Sequence, residues 1–132
     1  MNRHRAIDLL AVWLGGTVGT GARVVITAAT PLAAIPAATF FINLGGAFAL
    51  GLLLESLTRP GPRPYARLLR RLVGTGFLGG FTTYSALALQ VVDLRHAESP
   101  GLAIGYAMGS VLLGTAAAWL GVLLGRGRSG RR

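Results

Sequence analysis

The chain has 132 residues, of which 52% are hydrophobic and 13% charged, and it contains no cysteine. An ordinary soluble domain is about one-quarter charged, and without cysteine neither a disulfide nor a thiolate metal site can form. The net charge of +9 comes entirely from arginines. They cluster between long apolar runs instead of along one face, which argues against nucleic-acid binding, since a basic footprint needs a soluble surface.

Four segments are long and apolar enough to cross a hydrocarbon core, which takes about 20 helical residues. They are Ile7–Ala29, Ala37–Leu57, Leu72–Val92 and Gly101–Leu124. The expected fold class is an all-α membrane protein, one domain of four transmembrane helices. The first segment is too long, and stays apolar too far, for a cleavable signal peptide. It carries Gly15, Gly16, Gly19, Thr20 and Gly21, small residues that let membrane helices approach closely. Gly45 and Gly51 offer the same in the second segment. Asp8, near the start of the first segment, has Arg3 and Arg5 within reach. Arg23 is the one charge at depth, two turns from the segment's far end. It can snorkel to the interface, or serve an anion-attracting or structural role in a polar vestibule.

The second segment reads "TFFINLGGAFALG", in which Asn43 and Thr39 are the only strong polar groups. An unpaired amide in hydrocarbon is costly, so Asn43 must glue helices together or line a wet path. The third segment contains "GTGFLGGFTTYSALALQ", with four glycines in seven residues where a helix prefers leucine. Irregular backbone survives at membrane depth only where protein or a water-filled cavity satisfies it. Gly79 and Gly80 permit a break or a kink, and Thr82 or Thr83 can cap a restart. Carbonyls freed by a break are ligands for hard cations such as sodium. In the fourth segment Tyr106, Ser110 and Gly114 fall on one helical stripe, flanked by Thr115.

Arginine placement sets an expected orientation. With four spans, the N-terminus (Arg3, Arg5), the second loop (Arg59, Arg63, Arg67, Arg70, Arg71) and the tail (Arg126, Arg128, Arg131, Arg132) share one side. Arg95 stands alone on the other, beside Asp93 and Glu98. Both termini are therefore expected in the cytoplasm, with the chain in the cell's inner (plasma) membrane.

In its motifs "GGTVGTGAR", "TFFINLGGAFALG" and "GTGFLGGFTTYSAL", in order over nearly the whole chain, the sequence resembles the Fluc, or CrcB, family of fluoride channels. The spacing of Tyr106 and Ser110 fits as well. The resemblance implies an antiparallel dimer with two pores and a structural, non-transported sodium ion at its centre. On this chain the sodium would be held by backbone carbonyls of Gly79 and Thr82. It implies a fluoride path along Asn43, Thr83, Tyr84, Ser85, Tyr106 and Ser110. The physical logic is that hydrated fluoride exchanges water for fixed donors in a passage too narrow and polar for chloride.

The departures are specific. Two family phenylalanines, whose electropositive ring edges face the anion, are replaced by Tyr84 and Leu87, and leucine has no ring edge. Thr20 and Val24 stand where the family often has alanine and an aromatic, and Gly114 where a second hydroxyl is expected. The lopsided arginines also disfavour a homodimer of opposite orientations. They point to a homologous partner of opposite topology, with this chain as a channel half or as a non-conducting structural subunit. A small proton-coupled multidrug transporter would need a carboxylate at depth, yet Asp8, Glu55, Asp93 and Glu98 all lie at span ends. Nothing groups a nucleophile, base and acid, and His4 and His96 fall in termini or loops, so no enzyme is expected.

Overall fold

The computed structural model describes residues 3–30, 36–58, 64–97 and 99–127. Arg59, Arg63, Glu98, Arg128, Arg131 and Arg132, which enter the charge tally, lie outside the described residues. Helix α1 spans Arg3–Ala29 and α2 spans Ala37–Leu57. The third span is composite: α3 (Pro64–Leu69), a π-helical segment (Arg70–Leu78), α4 (Gly79–Phe81) and, after an interruption, α5 (Tyr84–His96). Helix α6 (Pro100–Gly127) closes the chain. All described residues in regular structure are helical. Four helical stretches are long and apolar enough to cross a membrane: Arg3–Ala29, Ala37–Leu57, Tyr65–His96 and Pro100–Arg126.

The boundaries follow local chemistry. Pro64 and Pro100 open α3 and α6, the position where a missing N–H costs nothing and the fixed φ suits a helix. Pro36 precedes α2 and its carbonyl accepts from Phe40 N–H. The third span starts earlier than its hydropathy suggested, because Tyr65–Arg71 continues the helix through an arginine-rich turn.

Backbone-to-backbone approach builds the bundle. Helix α1 lies along the π segment: a Cβ on Gly15 would collide with the Leu72 carbonyl, and one on Gly76 would come within 2.8 Å of the Val12 carbonyl. Helices α2 and α6 mesh reciprocally, Gly51 against the Ala118 carbonyl and Gly121 against that of Phe48. Gly45 does not take part in such a seam; it is exposed, and a Cβ there would meet open space.

Little of the apolar surface is interior. A small cluster of Leu87, Leu94, Ala103 and Tyr106, flanked by Phe40 and Val91, joins α5 to α2 and α6. By contrast Trp13, Val18, Val25, Leu112 and Trp119 are exposed. An outward face of this kind suits hydrocarbon, where lipid tails replace the partner side chains a soluble protein would need.

Ion pairs tie one end of the bundle. The Arg67 guanidinium donates to both Asp8 oxygens, the closer contact at 2.8 Å, with Arg71 at 3.9 Å. Arg126 pairs with Glu55 at 3.2 Å. The starts of α1 and the third span and the ends of α2 and α6 are thus at the same end, as four antiparallel spans require. Asp8 is paired across helices with Arg67, not with Arg3 or Arg5 as its sequence neighbours suggested. A partner on the adjacent helix can fork over both oxygens.

Candidate functional site: the interrupted third span

The chain leaves helical geometry at Thr82 and Thr83, not at the glycine pair. Gly79 is ordinary right-handed helix (φ −64°, ψ −36°), whereas Thr82 (φ −79°, ψ 157°) and Thr83 (φ −150°, ψ 124°) are extended. Of the pair, Gly80 instead provides room, since a Cβ there would run into the Gly16 carbonyl of α1, whereas one on Gly79 would meet open space. β-branched threonines favour extended backbone; the Thr83 hydroxyl replaces a lost backbone partner, while that of Thr82 joins its own N–H on the Leu78 carbonyl. Thr82 Oγ1 donates to the Leu78 carbonyl at 2.9 Å. Thr83 Oγ1 accepts from Ala86 N–H at 3.2 Å, the N-cap of α5.

Asn43 of α2 clamps the extended residue. Its Oδ1 accepts from Thr83 N–H at 2.8 Å and its Nδ2 donates to the Thr83 carbonyl at 2.9 Å. One amide thus acts as a short substitute strand. The same side chain borders an open cleft.

These bonds have a consequence for the carbonyls upstream. In an unbroken helix Thr83 N–H would donate to Gly79 and Ala86 N–H to Thr82. The first is turned to Asn43 and the second to the Thr83 hydroxyl. Gly79 and Thr82 therefore both lose their helical donors. The Gly80 carbonyl between them accepts from Thr20 Oγ1 at 3.3 Å and from Arg23 Nε at 3.2 Å. Of the alternatives for Arg23, this bond fits the structural one: the guanidinium reaches the end of the broken helix, where a cation meets the negative pole. Among the described residues no three His, Cys, Asp or Glu side chains group as metal ligands. The oxygens that the break frees are backbone carbonyls, those of Gly79 and Thr82.

The cleft, about 480 Å³, lies between α2, the break and α6. Asn43, Thr83, Tyr84, Leu87 and Ser110 are among its lining residues. Ser110 Oγ is buried and is the one such side-chain atom without a hydrogen-bond partner among the described residues. It does not donate back to its own helix, as Thr115 does to the Val111 carbonyl. Ser85 lies 3.2 Å from the Thr83 hydroxyl, oxygen to oxygen. Tyr84 is 80% exposed and Leu87 only 8%.

Tyr106 parts from Ser110 despite sharing its stripe. Its hydroxyl donates to Gln90 Oε1 at 2.8 Å and also lies 3.3 Å from the Pro36 carbonyl, while Gln90 Nε2 donates to Thr39 Oγ1 at 2.8 Å. This network knits α2, α5 and α6 beyond the cleft. Sequence reasoning passed over Gln90; the signal was available, since it is the only amide in "YSALALQVV".

Fold and site together define a small four-span helical membrane protein whose third span is interrupted beside a polar cleft. The family model described as "CrcB-like protein, Camphor Resistance (CrcB)" matches residues 10–122. The chain is 46% identical over 127 residues to "Fluoride-specific ion channel FluC 2" of Leifsonia xyli subsp. xyli (strain CTCB07), covering 95% of this chain and 88% of that protein. It is 43% identical over 132 residues to "Fluoride-specific ion channel FluC 1" of Cutibacterium acnes, covering 98% and 92%. It is 41% identical over 120 residues to "Fluoride-specific ion channel FluC" of Paracoccus denitrificans, covering 89% and 94%. The chain belongs to the CrcB family, and it is a multi-pass membrane protein.

Proposed function

We propose that this chain is a subunit of a fluoride-selective channel that lets fluoride leave the cytoplasm passively. The observation that carries the reading is the polar cleft at the broken span, where the buried Ser110 hydroxyl has no partner among the described residues. A hydroxyl left free at membrane depth costs about 1–3 kcal/mol and is recovered when it donates to a desolvated anion. The names of the relatives supply the ion. Asn43, Thr83, Ser85 and Ser110 are the donors assigned to the path, with Tyr84 beside them. Tyr106, engaged with Gln90, is assigned to the far end. A negative-inside membrane drives fluoride outward without proton or ATP coupling, and Asp8 and Glu55 are already ion-paired at the bundle end.

The assembly proposed is an antiparallel dimer in the plasma membrane, this chain with both termini cytoplasmic and its partner a homologous chain of opposite topology. Eleven arginines against Arg95 motivate the fixed orientation. A structural sodium ion would be held by the carbonyls of Gly79 and Thr82, which have lost their helical donors. Two oxygens are too few for a hard cation, and an antiparallel second chain would double them. A second reading, a non-conducting structural subunit, is favoured by Leu87, an aliphatic side chain bordering the cleft where a ring is expected.

Fluoride efflux from liposomes, read with an ion-selective electrode and with chloride as control, tests the proposal. Rapid selective efflux from the chain alone would establish the channel and refute the obligate pair. Efflux appearing only on co-production with an oppositely biased homologue would support the pair. Absence of selective efflux in both formats would refute the channel reading.

A further inference from the structure

We propose that the arginine-rich turn at the start of the third span is a binding site for the headgroup of an anionic phospholipid. Arg67, Arg70 and Arg71 stand at i, i+3 and i+4, one helix face, and with Ala66 they line an open groove of about 500 Å³. Among the described residues the only carboxylate within ion-pair distance of them is Asp8, which is committed to Arg67 at 2.8 Å and reaches Arg71 only at 3.9 Å. Arg70 is exposed and has no ion-pair or hydrogen-bond partner among the described residues. One negative charge against three leaves two guanidinium groups uncompensated.

Their place selects the occupant. The groove lies where the apolar span meets the end of the bundle, with Leu68 and Tyr65 exposed in the same helix. A ligand there needs an anionic head beside an apolar tail, which a nucleic acid or a free anion lacks. Guanidinium forks match phosphate oxygens two at a time, and basic side chains at a membrane surface favour anionic lipid by about fivefold each. The Arg126–Glu55 pair at the same end is neutralised internally and provides the contrast. The site stands whether or not the assembly conducts.

Native mass spectrometry of the purified full-length chain, titrated with phosphatidylglycerol or phosphatidylcholine of identical acyl chains, tests the site. Phosphatidylglycerol should be retained in preference, and Arg70→Gln with Arg71→Gln should cut that preference by about twenty-five-fold, fivefold for each arginine. Arg70→Lys with Arg71→Lys should keep the part of the preference that charge supplies and lose the part that the forks supply, falling between the native chain and the glutamine pair, and Arg126→Gln should leave it unchanged. Equal retention of the two lipids would overturn the proposal, as would a preference that survives the double glutamine variant. Displacement of phosphatidylglycerol by an equal concentration of inorganic phosphate would also overturn it, marking a site for free anions.

Discussion

Replacing Asn43 by alanine removes both bonds to Thr83, at 2.8 and 2.9 Å, and leaves one N–H and one carbonyl of extended backbone without partners. Each unsatisfied buried group costs about 1–3 kcal/mol, so two would cost about 2–6 kcal/mol with no relaxation. Asn43 and Thr83 are only partly buried and border the open cleft, so water there can recover some of that. A loss of about 2–3 kcal/mol is the expected outcome, read as an earlier unfolding midpoint of the purified protein in a denaturing-detergent titration. Asn43→Asp distinguishes the two bonds: it keeps the acceptor for Thr83 N–H, loses the donor, and sets a carboxylate oxygen against the Thr83 carbonyl. It should be no more stable than the alanine variant. If Asn43→Ala moves stability by less than about 0.5 kcal/mol, the amide is not what holds the break, and the account of the freed Gly79 and Thr82 carbonyls fails with it.

Ser110→Ala should cut fluoride efflux at least about tenfold while leaving stability unchanged or slightly improved, since it deletes a hydroxyl that bonds nothing among the described residues; flux and unfolding measured on one preparation check both halves. Leu87→Phe should raise flux by restoring a ring edge to the cleft, at an overpacking cost of about 1–3 kcal/mol, so flux and stability should move in opposite directions. Gly51→Leu should abolish assembly of the bundle, because even a Cβ there collides with the Ala118 carbonyl, and size-exclusion of the solubilised protein would report it. Asp8→Asn should cost less than about 1 kcal/mol, since Arg67 is 55% exposed and solvent screens the pair; a larger loss in the same titration would mean the end clamp organises the bundle.

The four spans were legible because hydropathy over about 20 residues is a one-dimensional quantity that length and composition already contain. Asn43 and the interruption were legible as anomalies, since each conflicts with the cost of polar backbone or amide in hydrocarbon. What the anomalies did was not legible. The break fell at Thr82–Thr83, where Asn43 of α2 holds the Thr83 backbone, while Gly80 serves the close approach of α1 at Gly16, and both facts are held by other helices. Asp8 found Arg67 across 59 residues of sequence, and Gln90 met Tyr106 on a different span. Each required knowing which helices neighbour which, and short loops set only the order of spans. The π-helical stretch Arg70–Leu78 was not anticipated, since its apolar part was read as one continuous span.

The site's economy rests on diverted donors. A helix that simply ends exposes four carbonyls, and at membrane depth all four would need partners. Here the Gly80 carbonyl is covered by Thr20 and Arg23 from α1, and the two threonine hydroxyls act on either side of it. The N–H groups that would have covered Gly79 and Thr82 are held elsewhere by Asn43 and by Thr83 itself. Arg23 and Asn43 therefore act in opposition on neighbouring positions, one covering an oxygen and the other uncovering one. Arg23→Gln, which can still donate, should be tolerated better than Arg23→Leu, which leaves the Gly80 carbonyl with only its longer bond at 3.3 Å to Thr20. Equal stability of the two variants would mean that the arginine's hydrogen bond contributes nothing to the break.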